Sequence, residues 1–226
     1  MKYHIRKTAF TLAEVLITLG IIGVVAALTI PSLISKKHNS ELEVALKKYY
    51  SVLQQVCLQM YLDEGQTINR LNYTGEEFLL KFKKYFISVN NNRLNVSTEN
   101  NEDTGDSMLT LKEYRTFNKK MLFAGYLDDG SINIGNDIMI FLERPASGER
   151  MLITIDVNGI NKGPNLWGHD MFTFQVMDDG RLLPMGAEGT ELTDENALCS
   201  KESNSASNGI ACTYRALTDK TFWDNL

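Results

Sequence analysis

The sequence predicts an α+β fold: a long N-terminal helix, membrane-inserted over its first half, with its second half packed on a small antiparallel β-sheet. Three observations predict it. Residues 15–34 form a run of twenty with no charge. From Leu42 to Met60 apolar side chains recur at helical spacing. From residue 138 onward the chain breaks into short runs rich in β-branched and aromatic residues, divided by turn formers. A helix with one apolar face laid on such a sheet buries the apolar sides of both.

The uncharged run comes first. At ~1.5 Å per residue it spans about 30 Å, the thickness of a bilayer's hydrocarbon core. It exceeds the roughly 7–15 residues of a secretory signal's apolar region. It therefore reads as a transmembrane helix, with Lys2, Arg6 and Lys7 left on the cytoplasmic side. Lys36 and Lys37 mark its far end. One acid, Glu14, stands at its head. A carboxylate in a bilayer costs on the order of 2.5–3.5 kcal/mol, and the segment holds no Lys, Arg or His to pair with it. Two ordinary readings exist: Glu14 reaches water at the interface of an uncleaved signal anchor, or it is lost with a signal peptide.

The stretch "KTAFTLAEVLITLGIIGVVAALTIPSL", residues 7–33, resembles the class III signal of type IV pilins and type II secretion pseudopilins. The shared pattern is a short basic leader, a small residue, Phe-Thr-Leu-x-Glu and about twenty apolar residues. In that family a prepilin peptidase cuts before the Phe and methylates the new amine. The resemblance implies a cut between Ala9 and Phe10, and it places Pro31 where the family often has a kinking proline. The family usually has Gly before the cut; this chain has Ala9. The resemblance also implies a partner for Glu14: the amine of Phe10 on a neighbouring subunit. A carboxylate that is costly in lipid would then favour assembly.

The family thus implies a structural subunit of a type IV pilus or a type II secretion filament, with no enzymatic activity. Its partners would be other pilin or pseudopilin subunits, in a homo- or hetero-polymer, together with the prepilin peptidase and an inner-membrane assembly platform. It would be a single-pass protein of the inner membrane with its C-terminal domain outside the cytoplasm. After assembly it would sit in a periplasmic or cell-surface filament. The expected organisation is a leader at 1–9, an assembly helix at 10–38 and a pilin-like globular domain at 39–226. The alternative is a membrane-anchored extracytoplasmic binding or hydrolytic domain that uses the helix only as a tether.

The helix is expected to continue past the membrane to about residue 62, with Leu42, Ala45, Tyr49, Val52, Val56 and Met60 on its buried stripe. Pro31 removes one backbone donor and is expected to bend it, and Gly65 is the expected stop. In "YTGEEFLLKFKKYF", Thr74 and Glu77 have capping-box spacing, so a short helix should follow to about Phe86. Residues 88–107 are polar and Asn-rich and read as a loop. "IMIFLE", "RMLITIDV" and "MFTFQVM" read as strands of an antiparallel sheet, with a further strand near 121–126.

Charge excludes some partners. The chain has a formal charge of −5. The leader carries three of its 23 basic residues, leaving 20 bases against 28 acids, or −8, in the processed chain. Such a surface disfavours general binding to nucleic acid or anionic lipid heads. The basic and aromatic run "KFKKYF" at 81–86 reads as a solvated helix face.

Of three cysteines, Cys199 and Cys212 flank the polar loop "CSKESNSASNGIAC". Outside the cytoplasm such a loop is a candidate for a disulfide, worth about 3 kcal/mol by loop entropy. Many type IV pilins have a comparable C-terminal disulfide loop. Cys57, on the helical stripe, is expected to be reduced and buried. Zinc is disfavoured, because the spacing is not that of paired knuckles and His38 and His169 are not arranged around the loop. No Gly-x-Ser-x-Gly, His-Glu-x-x-His or P-loop is present. His169 and serines 200, 203, 205 and 207 read as loop residues.

"DVNGINKGPNLWGHDMF" is the most unusual soluble segment. Asp156, Asn158, Asn161, Asn165 and Asp170 offer hard oxygen ligands between glycines 159, 163 and 168. Major pseudopilins bind calcium near their C-terminal strands, so the resemblance makes structural calcium an expectation to test at these five residues. The spacing is not that of an EF-hand, and Asp, Asn, Gly and Pro are equally the residues of turns.

Overall fold

The computed structural model describes residues 11–86, 113–135, 137–143 and 150–226. Helix α1 spans Leu12–Glu64, 53 residues, and runs through Pro31 without interruption. Gly65 ends it in the left-handed region at φ 68°, its N–H donating to the Tyr61 carbonyl. Leu42, Leu46, Leu53, Val56, Cys57 and Met60 are buried, while Ala45, Tyr49 and Val52 pack only partly against the core. The expected stripe was therefore right at its ends and one residue off at Ala45 and Val52. Burial steps alternately by four and three, 42–46–49–53–56–60, which carries it onto the two leucines.

Helix α2, Gly75–Phe82, continues as a 3-10 turn over Lys83–Tyr85, ending close to the expected Phe86. Its expected capping box does not form: Thr74 is the N-cap, but its side chain makes no capping bond. Glu77 instead pairs with Lys81 at 2.8 Å, and Lys81 also reaches Glu64 of α1 at 2.6 Å. The Lys81–Glu64 pair ties α2 back to α1.

The sheet is an antiparallel meander in the order β1-β2-β3-β4-β5. Its strands are β1 Ser131–Asn133, β2 Met139–Glu143, β3 Met151–Asp156, β4 Met171–Val176 and β5 Leu182–Pro184. The long pair β3/β4 runs from Met151 opposite Val176 to Asp156 opposite Met171. Every residue of β3 and β4 is buried, because both faces of the sheet are covered. One face carries Ile153, Ile155, Phe172 and Phe174 into a core shared with α1. The other carries Leu152, Phe141 and Met171 into a second core with Tyr114, Trp167, Met185 and Ile210. A two-sided core explains why these strands read as continuous apolar runs. Where polar residues enter it, they pair: Thr154 and Thr173 share a hydrogen bond of 2.7 Å, and Trp167 Nε1 donates to Thr173 Oγ1.

The strand expected near 121–126 is absent. Met121 makes one isolated bridge with Arg115, and Ala124–Tyr126 is a 3-10 turn. The Phe123 ring folds over Gly125 so closely that a Cβ there would lie 2.7 Å from it. Gly125 is the middle residue of that 3-10 turn, and the wound backbone there ends extended pairing.

After β5 the chain forms α3, Glu195–Leu198, α4, Cys212–Thr218, and a last 3-10 turn, Trp223–Asn225. The C-terminus returns to α1, where Asn39 Nδ2 donates to the Trp223 carbonyl at 2.8 Å. Higher on α1, Tyr50 stacks on Phe174 at 5.0 Å and donates its hydroxyl to the Leu182 carbonyl. That bond occupies an outward backbone acceptor of the edge strand β5 and protects the edge.

Candidate functional site

Two regions collect the residues singled out above. The first is the free half of α1. It is long and apolar enough to cross a membrane, and none of its most apolar window is buried against the other described residues. Leu16, Ile17, Ile21, Ile22 and Leu28 are all exposed. Helical propensity does not account for so many bare aliphatic side chains; they need lipid or other protein around them. Pro31 lies within this half. Ala9 and Phe10 lie outside the described residues.

Glu14 has a local role that the sequence reading missed. Thr11 is the N-cap of α1, and the two form a capping box. The Thr11 N–H and its hydroxyl each donate to Glu14 Oε2 at 2.8 Å, and the Glu14 N–H donates to Thr11 Oγ1 at 3.2 Å. Thr-Leu-Ala-Glu carries the same capping-box spacing as Thr74 and Glu77. Within one chain, a single carboxylate oxygen thus takes both donors.

The second region is the β3–β4 connection, residues 157–170, with the acids at its two ends. Asp156 and Asp170 are fully buried. Asp156 Oδ1 accepts the N–H groups of Asn158 and Gly159 at 3.1 and 2.8 Å, and its Oδ2 accepts the Tyr114 hydroxyl at 2.6 Å. Asp170 Oδ1 and Oδ2 accept the N–H groups of Leu166 and Asn165, both at 2.7 Å. Asn158 and Asn165 brace the loop through Nδ2, donating to the carbonyls of Gly163 and Ile160. Their Oδ1 atoms are buried without a hydrogen-bond partner. Asn161 turns outward and donates to Asp137 at 2.9 Å.

Burial and the neighbouring Asp156 push the Asp170 carboxyl up to about 7. Burial also raises Asp156, against the pull of its hydrogen bonds, and drives the Tyr114 hydroxyl far above its ordinary value.

This arrangement departs from the expected calcium set. Calcium takes about six to eight oxygens. Here every carboxylate oxygen already faces an N–H or O–H donor, Asn161 points elsewhere, and two amide oxygens remain. The residues do not fit the ion; they act as anchors of two turns. Tyr114, the third member of the cluster, carried no local sequence signal, since 42 residues separate it from Asp156. A separate acidic trio, Asp128, Asp129 and Glu143, converges with ligand atoms within 4.8 Å of one another.

Cys199 and Cys212 are joined in a disulfide, with Cα atoms 4.9 Å apart. Cys57 is free and buried, and burial pushes its thiol up to about 12, which makes it unreactive. His169 lies against the Phe117 ring at 4.8 Å. Burial holds its imidazole down at about 4, neutral at ordinary pH.

Neither a protein-family model, nor a curated protein, nor a solved structure matches this chain.

Proposed function

We propose that the chain is a structural subunit of a type IV pilus or type II secretion filament, cleaved between Ala9 and Phe10 and polymerised through the apolar half of α1. One observation carries this reading: a single helix of 53 residues divides into a half with no partner among the described residues and a half built into the core of the domain. A tether needs only to span and then release its cargo. A helix continuous with the core fixes the domain rigidly on the segment that packs, as a polymer with defined subunit positions requires. The domain lies outside the cytoplasm in this reading, consistent with its disulfide. The subunit's work is assembly, with the prepilin peptidase, the membrane platform and other subunits as partners.

The acid at the head of α1 provides the test. In the single chain its Oε2 is held by Thr11, and in a filament Oε1 would meet the amine of Phe10 on a neighbour. Glu14→Val removes both roles, Glu14→Gln removes the charge, and Thr11→Ala removes the cap at a cost of about 1 kcal/mol while keeping the acid. Each variant is expressed in the native host, and membrane-bound protein is compared with sheared, filament-associated protein. Glu14→Val should remain in the membrane and be lost from filaments, Glu14→Gln should be intermediate, and Thr11→Ala should still assemble. Normal incorporation of Glu14→Val would contradict the proposal and favour the tethered domain.

A further inference from the structure

We infer that the end of the domain nearest the membrane is a seat for lipid: α1 tilts in the bilayer until the last 3-10 turn rests on the headgroups away from the cytoplasm, where lipid phosphates hold Lys36, Lys37, Lys201 and Lys220. The inference rests on α1 crossing a bilayer, which the filament subunit and the tethered domain share.

The helix is unbroken across the boundary. The uncharged run ends at Ile34, and the first buried residue of α1 is Leu42, with helix throughout. With no flexible linker between lipid and core, the helix rise sets the height of each residue above the hydrocarbon. The headgroup layer is about 5–8 Å deep on each side. Counted from Ile34 on an upright helix, Lys36 stands at about 3 Å and Lys37 at about 4.5 Å, both within the layer. Glu41, the first acid after the run, stands at about 10.5 Å, above it. The helix thus sorts its charges across the interface, bases inside and acids beyond. Lysines at this end run against the tendency of bases to stay cytoplasmic, and phosphate at the same depth supplies their counter-charge.

The domain comes down to the same level. Asn39, at about 7.5 Å, donates through Nδ2 to the Trp223 carbonyl at 2.8 Å. The turn Trp223–Asn225 therefore lies at the outer rim of the headgroups. Lys201 reaches that turn and donates to the Asn225 carbonyl, and Lys220 precedes Trp223 by three residues. Lys36, Lys201 and Lys220 are exposed and make no ion pair among the described residues. Lys37 has Glu41 at 3.6 Å, a pair open to solvent. Asp219, beside Lys220, is occupied by Arg215 at 3.5 Å and by the Thr221 N–H. Glu202 and Asp224 are exposed and oppose the attraction; it is a local one, at one end of an acidic chain.

Transmembrane helices tilt by about 20° on average, and interfacial lysines help to set the direction. Because α1 carries the domain rigidly, a tilt toward Trp223 lowers the last turn onto the phosphates and the opposite tilt lifts it away. Each lysine near an anionic surface favours the lowered position about fivefold.

The test places the full chain in phosphatidylcholine vesicles, with or without phosphatidylglycerol, that contain a lipid bearing a nitroxide on its headgroup or deep in its acyl chain. Resistance to carbonate extraction reports insertion of α1. Quenching of tryptophan fluorescence reports the height of the domain, which holds both Trp167 and Trp223. The headgroup nitroxide should quench more strongly than the acyl-chain one. Phosphatidylglycerol should increase the headgroup quenching, and high salt should reverse the increase. Lys201→Glu together with Lys220→Glu changes two exposed side chains, lowers the ratio of seated to lifted domain by at least about 25-fold, and should abolish the increase while carbonate resistance stays. A chain that carbonate extracts would contradict the membrane-spanning reading and this inference with it. An inserted chain would overturn the inference alone if its headgroup quenching were absent, weaker than that from the acyl chain, or indifferent to phosphatidylglycerol or to the charge reversal.

Discussion

Leu53 sits fully buried in the core shared by α1 and the sheet, next to Val52, the residue that simple periodicity chose. Leu53→Ala removes three carbon atoms from a core shared by α1, α2 and the sheet. A large-to-small change of this kind costs about 2–5 kcal/mol, with the upper end reached where the surroundings cannot collapse. Leu53 is clamped on either side by buried Leu46 and Met60, on a helix that cannot shift without breaking the Tyr50 and Asn39 hydrogen bonds. We therefore expect roughly 3–5 kcal/mol. Val52 is half-buried, and Val52→Ala should cost roughly 1 kcal/mol for its partly covered methyls. Leu58, at 59% exposed, should cost within about 0.5 kcal/mol when changed to Ala. The assay is urea denaturation of the full chain in mild non-denaturing detergent, followed by the near-ultraviolet signal of Trp167 and Trp223, which both lie in the domain. The order Leu53, Val52, Leu58 is the prediction. A cost for Val52→Ala larger than that for Leu53→Ala would refute the burial register of α1.

Two further outcomes follow from the domain. Replacing Cys199 and Cys212 together by Ser, or reducing the native bond, should lower stability by about 3 kcal/mol, because the bridge closes a short loop in the unfolded chain; thiol titration of the denatured, unreduced protein should find one free thiol, that of Cys57. His169→Gln should remove an acid sensitivity of roughly 3 kcal/mol, the difference between an imidazole held at about 4 and one free in the unfolded chain, measured as unfolding free energy at about pH 4 relative to pH 7.

What the sequence made legible, and what it hid, follows from the range of the forces involved. The long helix and the three central strands were readable because their signals are local and repeated: twenty uncharged residues, a helical stripe and apolar runs of five or six residues. β1 and β5 were not, because three residues carry too little pattern, and each is defined by its partner strand. The run at 121–126 has strand-like composition, but its backbone winds into a 3-10 turn at Ala124–Tyr126 and pairs at Met121 alone. Thr74 and Thr11 present the same capping spacing, and a third residue, Lys81, decides between them by drawing Glu77 away. In the β3–β4 connection the acids were found, yet their role depended on Tyr114, a residue far away in sequence. The disulfide was readable because a short polar loop between two cysteines leaves few other uses for them.

The central proposal is that the working chain begins at a newly made amine on Phe10, one residue before the Thr11 cap of α1. The measurement that tests it most directly is the N-terminal residue of the mature protein with its intact mass, taken from the native host's membrane fraction. The account predicts a chain beginning at N-methylated Phe10, with Glu14 retained and the Cys199–Cys212 bridge intact. A chain that still begins at Met1, or one cut beyond the apolar run near residue 35, would contradict it.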